Sequence, residues 1–417
     1  MKNYTNNSEA PQGEGLFYGW IIVGSVFFMS ATAAGIIYSF PAFVASFEAE
    51  FKTGRADISL VFAVSEFVWF MTGFAAGFVA DRFGPRNVGL LGAVIMALGL
   101  AGASMATSLP LLYLAYGAGV GIGGGMIYVP AVGLVQRWFK VKRGLASGLA
   151  VSGTGVGTLL LPPLATALNE TMGWRSAHLV LAGCALVVCG AASLLLVYHP
   201  RDMGLAPDGG PANPDASRTA PLPGLGLAEA VVQARFWLLY IASLLSAAGV
   251  FINYVHLVPY ATDNGVSAQL GIILIGIMGI CSTFGRFLLG GLADRFGRRT
   301  LLTYILAGLS LTMFWWLLAP PVFASLLLYA TLFGILYGGY IALLPVLAME
   351  YFGGHRIATI IGALYTSWGV GALFGPTMAG AIRDASGAYF YAILVGAISM
   401  AISALSCQMI REPDTSY

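Results

Sequence analysis

Apolar runs of about 20 residues, each closed by a charged or Pro/Gly-rich turn, recur twelve times along the 417-residue chain. A helix rises 1.5 Å per residue, so a run of that length crosses a hydrocarbon core of about 30 Å. The runs occupy roughly 17–43, 57–80, 87–107, 110–136, 144–168, 177–198, 236–261, 270–293, 300–319, 322–349, 356–382 and 387–410. They predict an all-α membrane protein with twelve transmembrane helices, and Pro130, Pro163, Pro259, Pro345 and Pro376 predict kinks within them.

The pattern lapses once. Residues 199–234 hold six prolines between Pro200 and Pro223, several glycines and no apolar period, as a flexible linker does. This divides the chain into a six-helix bundle at 1–198, the linker at 199–234 and a second bundle at 235–417. The two halves resemble each other at a shift of 213 residues: Asp81 with Asp294, Gly84 with Gly297, Arg86 with Arg299, Arg143 with Arg356, Pro163 with Pro376. Such a parallel repeat is the arrangement in which two bundles rock around a central site.

Composition agrees, with 58% hydrophobic residues, 9% charged and a mean hydropathy of +0.83. The net charge of +2 is uninformative, but its distribution is not. With both termini cytoplasmic, the inner loops hold fifteen Lys/Arg and the outer loops four. This satisfies the positive-inside rule and predicts a multi-pass protein of the plasma (inner) membrane with both termini inside. The four cysteines fall within apolar runs and have no metal or disulfide spacing.

One cation is left inside a run. Arg286 lies eight residues ahead of the cluster Asp294-Arg295, about 12 Å along a helix and near mid-membrane. A cation there costs from about 3 to more than 10 kcal/mol, which points to function. Gly276, Gly279, Thr283, Arg286 and Gly290 recur at spacings of three and four, so Arg286 shares one small, polar helix face that turns into the bundle.

"GFVADRFGPR" (77–86) and "GGLADRFGRR" (290–299) resemble the Gly-x-x-x-Asp-Arg-x-Gly-x-Arg loop of the major facilitator superfamily. Asp81, Arg82, Arg86, Asp294, Arg295 and Arg299 are then the expected conformational switch. A carboxylate in this turn accepts hydrogen bonds from a neighbouring helix N-terminus and pairs with Arg. "EGLFYGW" (14–20) and "RWFKVKRGLASGLAVSGTGVG" (137–157) are similar to the first- and fifth-helix motifs of monocarboxylate transporters and oxalate/formate antiporters.

In those families an arginine at the position of Arg286 holds the substrate carboxylate. The oxalate carriers add a lysine in the eleventh helix, where this chain has Trp368, so the resemblance implies a monoanion, and the bulky indole a small one. Tyr128, Tyr337, Tyr340, Tyr38, Tyr365, Asn253 and His256 are candidates to complete the site, each also readable as a helix–helix contact. The aspartate that precedes the arginine in animal monocarboxylate transporters is Ser282 here, and a first-helix lysine is replaced by Ala42, so the familiar proton relay is missing. His256, whose unperturbed pKa is near 6.5, is the first substitute, with Asp263 and Glu66 as further coupling or gating candidates.

The expectation is therefore a secondary carrier of a small monocarboxylate of the lactate or pyruvate type, coupled to protons. An anion exchanger is the main alternative, followed by a carboxylate-binding membrane sensor and, last, an intramembrane enzyme. No cofactor, metal, ATP or nucleic-acid motif is apparent: "GVGIGG" (119–124) lies within an apolar helix rather than after a strand, and Gly117, Gly121 and Gly125 are packing positions of the fourth helix.

Overall fold

The computed structural model describes residues 17–209 and 223–411. Residues 14–16 of the first-helix motif and residues 210–222 of the linker lie outside them. A backbone in hydrocarbon must satisfy its own N–H and C=O groups, and the apolar runs accordingly form helices. These are α1 (Tyr18–Ile37), α2 (Arg55–Phe83), α3 (Pro85–Ser104), α4 (Leu109–Trp138), α5 and α6 (together Arg143–Leu194), α7 (Ala234–Asp263), α8 (Ala268–Phe296), α9 (Arg298–Leu318), α10 (Phe323–Phe352), α11 (Ile357–Ser386) and α12 (Phe390–Gln408). Gly173, at φ 78°, separates α5 from α6 with no intervening loop. Among the described residues no β-strand longer than an isolated bridge occurs.

Several boundaries differ from the hydropathy reading. α1 stops at Ile37, six residues early, because Pro41 seeds a tight turn over Phe40–Phe43 before a short helix, Val44–Phe51. α2 extends to Phe83 and α8 to Phe296, so both switch loops shrink to one glycine. Gly84 and Gly297 adopt φ 85° and 89°, a left-handed geometry that residues with a Cβ rarely tolerate.

The helices form two bundles, the first of α1–α6 and the second of α7–α12. Within the first, α1 packs on α5 and α2 and α3 on α4; within the second, α8 packs on α10, α7 on α11 and α9 on α12. Gly121 and Gly125 approach the backbone of α2 so closely that an added Cβ would lie 2.6 Å from Ser65 O and 2.4 Å from Trp69 O. Across the molecule, α5 packs on α8 and α2 on α11. The ends of the linker are each tied to one bundle. Asp208 accepts from the backbone N–H groups of Lys140 and Val141 (both 2.9 Å), while Leu225 N–H donates to Phe352 O at 2.7 Å.

Candidate functional site

The two switch loops lie on one face and each reaches into the opposite bundle. Asp81, at the end of α2, accepts hydrogen bonds from the backbone N–H and hydroxyl of Thr359, both at 2.8 Å, at the start of α11. Asp294, at the end of α8, accepts from the N–H groups of Gly144 and Leu145, at 2.9 and 3.0 Å, at the start of α5. Each carboxylate thus caps a helix N-terminus whose first N–H groups have no partner within their own helix. The cations that join them are not those of the motif. Arg137 in the last turn of α4 pairs with Asp81 at 2.8 Å, and Arg298 pairs with Asp294 at 3.0 Å. Arg82, Arg86 and Arg295 are exposed, and Arg299 donates to Ile410 O.

Next to each latch the bundles touch through backbone. A Cβ on Gly144 would lie 2.2 Å from Gly290 O, one on Gly148 2.2 Å from Arg286 O, and one on Gly77 2.2 Å from Ala358 O. The small-residue face of α8 is therefore divided. Thr283 and Gly290 press on α5, whereas Gly276 and Gly279 line open space. Arg286 stands at the junction, 4% exposed. One guanidinium nitrogen donates to Val151 O of α5 at 2.8 Å, Nε has no hydrogen-bond partner, and among the described residues no carboxylate pairs with it.

That open space is a cavity of about 310 Å³ between the bundles, closed toward the latches and rising to Tyr38, which is 37% exposed. Its walls are mostly aromatic. Tyr128 stacks on Tyr365 (centroids 6.1 Å apart), and Tyr337 meets both Tyr254 and Trp368 at 6.1 Å. Trp368 lies flat on Tyr340, at 5.5 Å and 13°, and lines the wall rather than filling the cavity. Several polar groups of the lining have no hydrogen-bond partner: Tyr365 OH, Trp368 Nε1, Thr154 Oγ1, Ser282 Oγ and Glu66 Oε1. Arg286 and Glu66 are the one base and the one acid among the described lining residues.

The sequence-predicted residues separate accordingly. Arg286, Tyr38, Tyr128, Tyr337, Tyr365, Trp368 and Glu66 line the cavity. Tyr340 sits behind Trp368 with its hydroxyl on Ser243 Oγ at 3.1 Å. Asn253 faces away from the cavity: it donates to Gly249 O at 2.8 Å, accepts from Tyr329 OH and is fully buried. His256 shares that side, bonded through Nε2 to Pro376 O at 3.0 Å and packed on Tyr389. Asp263 forms a half-exposed ion pair with Arg383 at 3.4 Å. Successive helical residues turn by 100°, so the face of α7 that meets the cavity carries Phe251 and Tyr254 instead. Tyr254, Thr154, Arg137 and Arg298 are the functional candidates the sequence reading omitted.

Two six-helix bundles around a central cavity, latched across one face, define a secondary-transporter architecture. The family model described as Major Facilitator Superfamily matches residues 22–376 and 239–416. The chain is 31% identical to monocarboxylate transporter 13 of Rattus norvegicus, over 94% of this chain and 87% of the relative. It is 29% identical to monocarboxylate transporter 12 of Xenopus laevis, over 92% and 86%. The chain belongs to the major facilitator superfamily, in its monocarboxylate transporter branch. Its fold matches the E. coli fucose:proton symporter (TM-score 0.71, 14% identity, 94% of this chain and 99% of that one). It also matches a proton:xylose symporter (TM-score 0.73, 16% identity, 95% and 96%).

Proposed function

We propose that this carrier moves a small monocarboxylate of the lactate or pyruvate type together with a proton, by alternating access. The supporting observation is Arg286: a buried guanidinium on the wall of a largely apolar cavity, with one bond to a backbone carbonyl and no carboxylate partner among the described residues. Its fork of donors suits a carboxylate, and in low dielectric that pairing is strong. With a single cation among the described lining residues, a second substrate charge would stay uncompensated at a cost of several kcal/mol, which favours a monoanion. Tyr128, Tyr254, Tyr337 and Tyr365 would surround its carbon end. The names of the curated relatives point to the same substrate class.

The residue boundaries of the bundles, 1–198 and 235–417 around a linker at 199–234, belong to this reading, as does its orientation. The loop surplus of Lys and Arg assigns the latched face to the cytoplasm of a plasma-membrane protein, and the cavity then opens outward. Rocking would break the caps at Asp81 and Asp294 and expose the site to the inside. Anion exchange on the same fold is the competing reading.

Uptake of radiolabelled L-lactate into proteoliposomes separates the two. Accumulation driven by an inward proton gradient into empty vesicles supports symport. Uptake that requires a preloaded anion and ignores the gradient would establish exchange.

A further inference from the structure

Glu66 is a carboxyl that carboxylate binding leaves unused. It lies on α2 of the first bundle, is 8% exposed, and among the described residues its Oε1 has no hydrogen-bond donor. Arg286 lies on α8 of the second bundle, on the opposite wall of the same cavity. No histidine, lysine or second acid is among the described residues that line it. The titratable groups that interact with Glu66 are Tyr38, just beyond the end of α1, whose phenol lies within hydrogen-bonding reach of the carboxyl, and Tyr116 from α4; both are neutral, so neither supplies a charge that balances a carboxylate.

From this pairing we propose that Glu66 is the proton carrier of the transport cycle, and that it couples to Arg286 through the net charge of the closing cavity. The inference rests on the symport reading above. The charge states of the two walls decide which forms can reorient. With substrate bound to Arg286 and Glu66 protonated, the enclosed charge is zero. With no substrate and Glu66 ionised, it is again zero. Substrate without the proton leaves one uncompensated negative charge, and the proton without substrate leaves the Arg286 cation alone. Enclosing either in a low-dielectric cavity is costly, so neither charged form reorients. The two neutral forms do, and one proton accompanies one monocarboxylate.

The chemistry is a proton transfer alone. At the open mouth an O–H bond of hydronium breaks, leaving water, and an O–H bond forms on the Glu66 carboxylate; the substrate enters as its anion. After reorientation that O–H bond breaks and the proton passes to water on the other side, with nothing oxidised or reduced. Tyr38 stands at the mouth of the cavity and interacts with Glu66, which places the carboxyl near the entering water. His256, bonded to the Pro376 carbonyl outside the cavity, has no part in this cycle.

Glu66→Gln and Glu66→Asp, reconstituted beside wild type, test it. Two quantities are read: accumulation of labelled L-lactate under an inward proton gradient, and counterflow of labelled into lactate-loaded vesicles. We expect Glu66→Gln to lose at least tenfold in accumulation and in lactate-linked proton uptake while counterflow continues, because the substrate is held by Arg286. Glu66→Asp should regain gradient-driven accumulation. Accumulation undiminished in Glu66→Gln would overturn the assignment and leave symport standing. Counterflow abolished in both variants would also overturn it, making Glu66 a substrate-binding or structural group. Wild type that exchanges lactate yet ignores the gradient would refute symport itself, and the role of Glu66 with it.

Discussion

Arg286 on α8 of the second bundle donates a 2.8 Å hydrogen bond to the carbonyl oxygen of Val151 on α5 of the first. The residue proposed to hold substrate is therefore also a tie between the two bodies that must move. One turn away, Gly148 meets the carbonyl oxygen of Arg286 itself. The proposed substrate binding and the bundle contact thus converge on one side chain and one stretch of backbone.

That contact predicts a steric effect at Gly148. A methyl group there would lie 2.2 Å from Arg286 O, and overpacking of this kind costs about 1–3 kcal/mol. Because the clash exists only while α5 and α8 touch, Gly148→Ala should favour the opposite, inward-open state. Cysteines introduced at the latched face should label faster in the variant, by about fivefold or more.

The capping carboxylates predict a parallel effect without steric change. Asp294→Asn keeps the shape but loses the charge that holds the Gly144 and Leu145 N–H groups and Arg298. A charge-assisted hydrogen bond is worth about 1.5–3 kcal/mol, so the latched state should become roughly tenfold or more less populated. Asp81→Asn should act in the same direction through Thr359. Thiol accessibility read against Gly148→Ala would show whether both routes open the same face.

Much of this was legible beforehand, for identifiable reasons. A hydrocarbon core demands long apolar helices, so the spans stood out, and the 213-residue repeat exposed Asp81 and Asp294 as equivalents. Arg286 was conspicuous as an isolated cation in an apolar run. What the sequence hid was rotation and partnership. Asn253 and His256 do share a face, but that face turns toward Tyr329 and Pro376, while Tyr254, one residue from Asn253, reaches the cavity. Polarity within a helix does not tell a satisfied contact from an open one. Nor does a motif's own arginine reveal that Arg137, 56 positions from Asp81, forms the ion pair.

His199, beyond the end of α6, gives a pH signature. Burial, and then the neighbouring charges of Arg137 and Arg201, push its pKa down to about 4. The ring must be neutral to accept the 3.3 Å contact from Arg137. The folded pKa lies below the unfolded value of about 6.5, so the unfolded chain binds the extra proton. Its contribution is intact above about pH 6.5 and is lost progressively toward pH 4. The melting temperature of purified protein should fall over that window, and His199→Asn should flatten part of the fall.

Trp368 lines the cavity, packed against Phe70 and Phe251 and resting on Tyr340. Trp368→Ala should enlarge the site and admit bulkier monocarboxylates. Loss of that wall is expected to weaken lactate binding by about 1–3 kcal/mol, or roughly 5- to 150-fold. Competition of branched and aryl carboxylates against labelled lactate would show the shift in preference.

The most direct test of the account is equilibrium binding of labelled L-lactate to purified Arg286→Gln and Arg286→Lys, each first shown to melt as wild type does. If Arg286 holds the carboxylate, Arg286→Gln should lose at least a hundredfold in affinity, and Arg286→Lys, with charge but no fork, should fall between it and wild type. Unchanged lactate binding in Arg286→Gln would make the arginine a structural tie to Val151, and the central claim would be wrong.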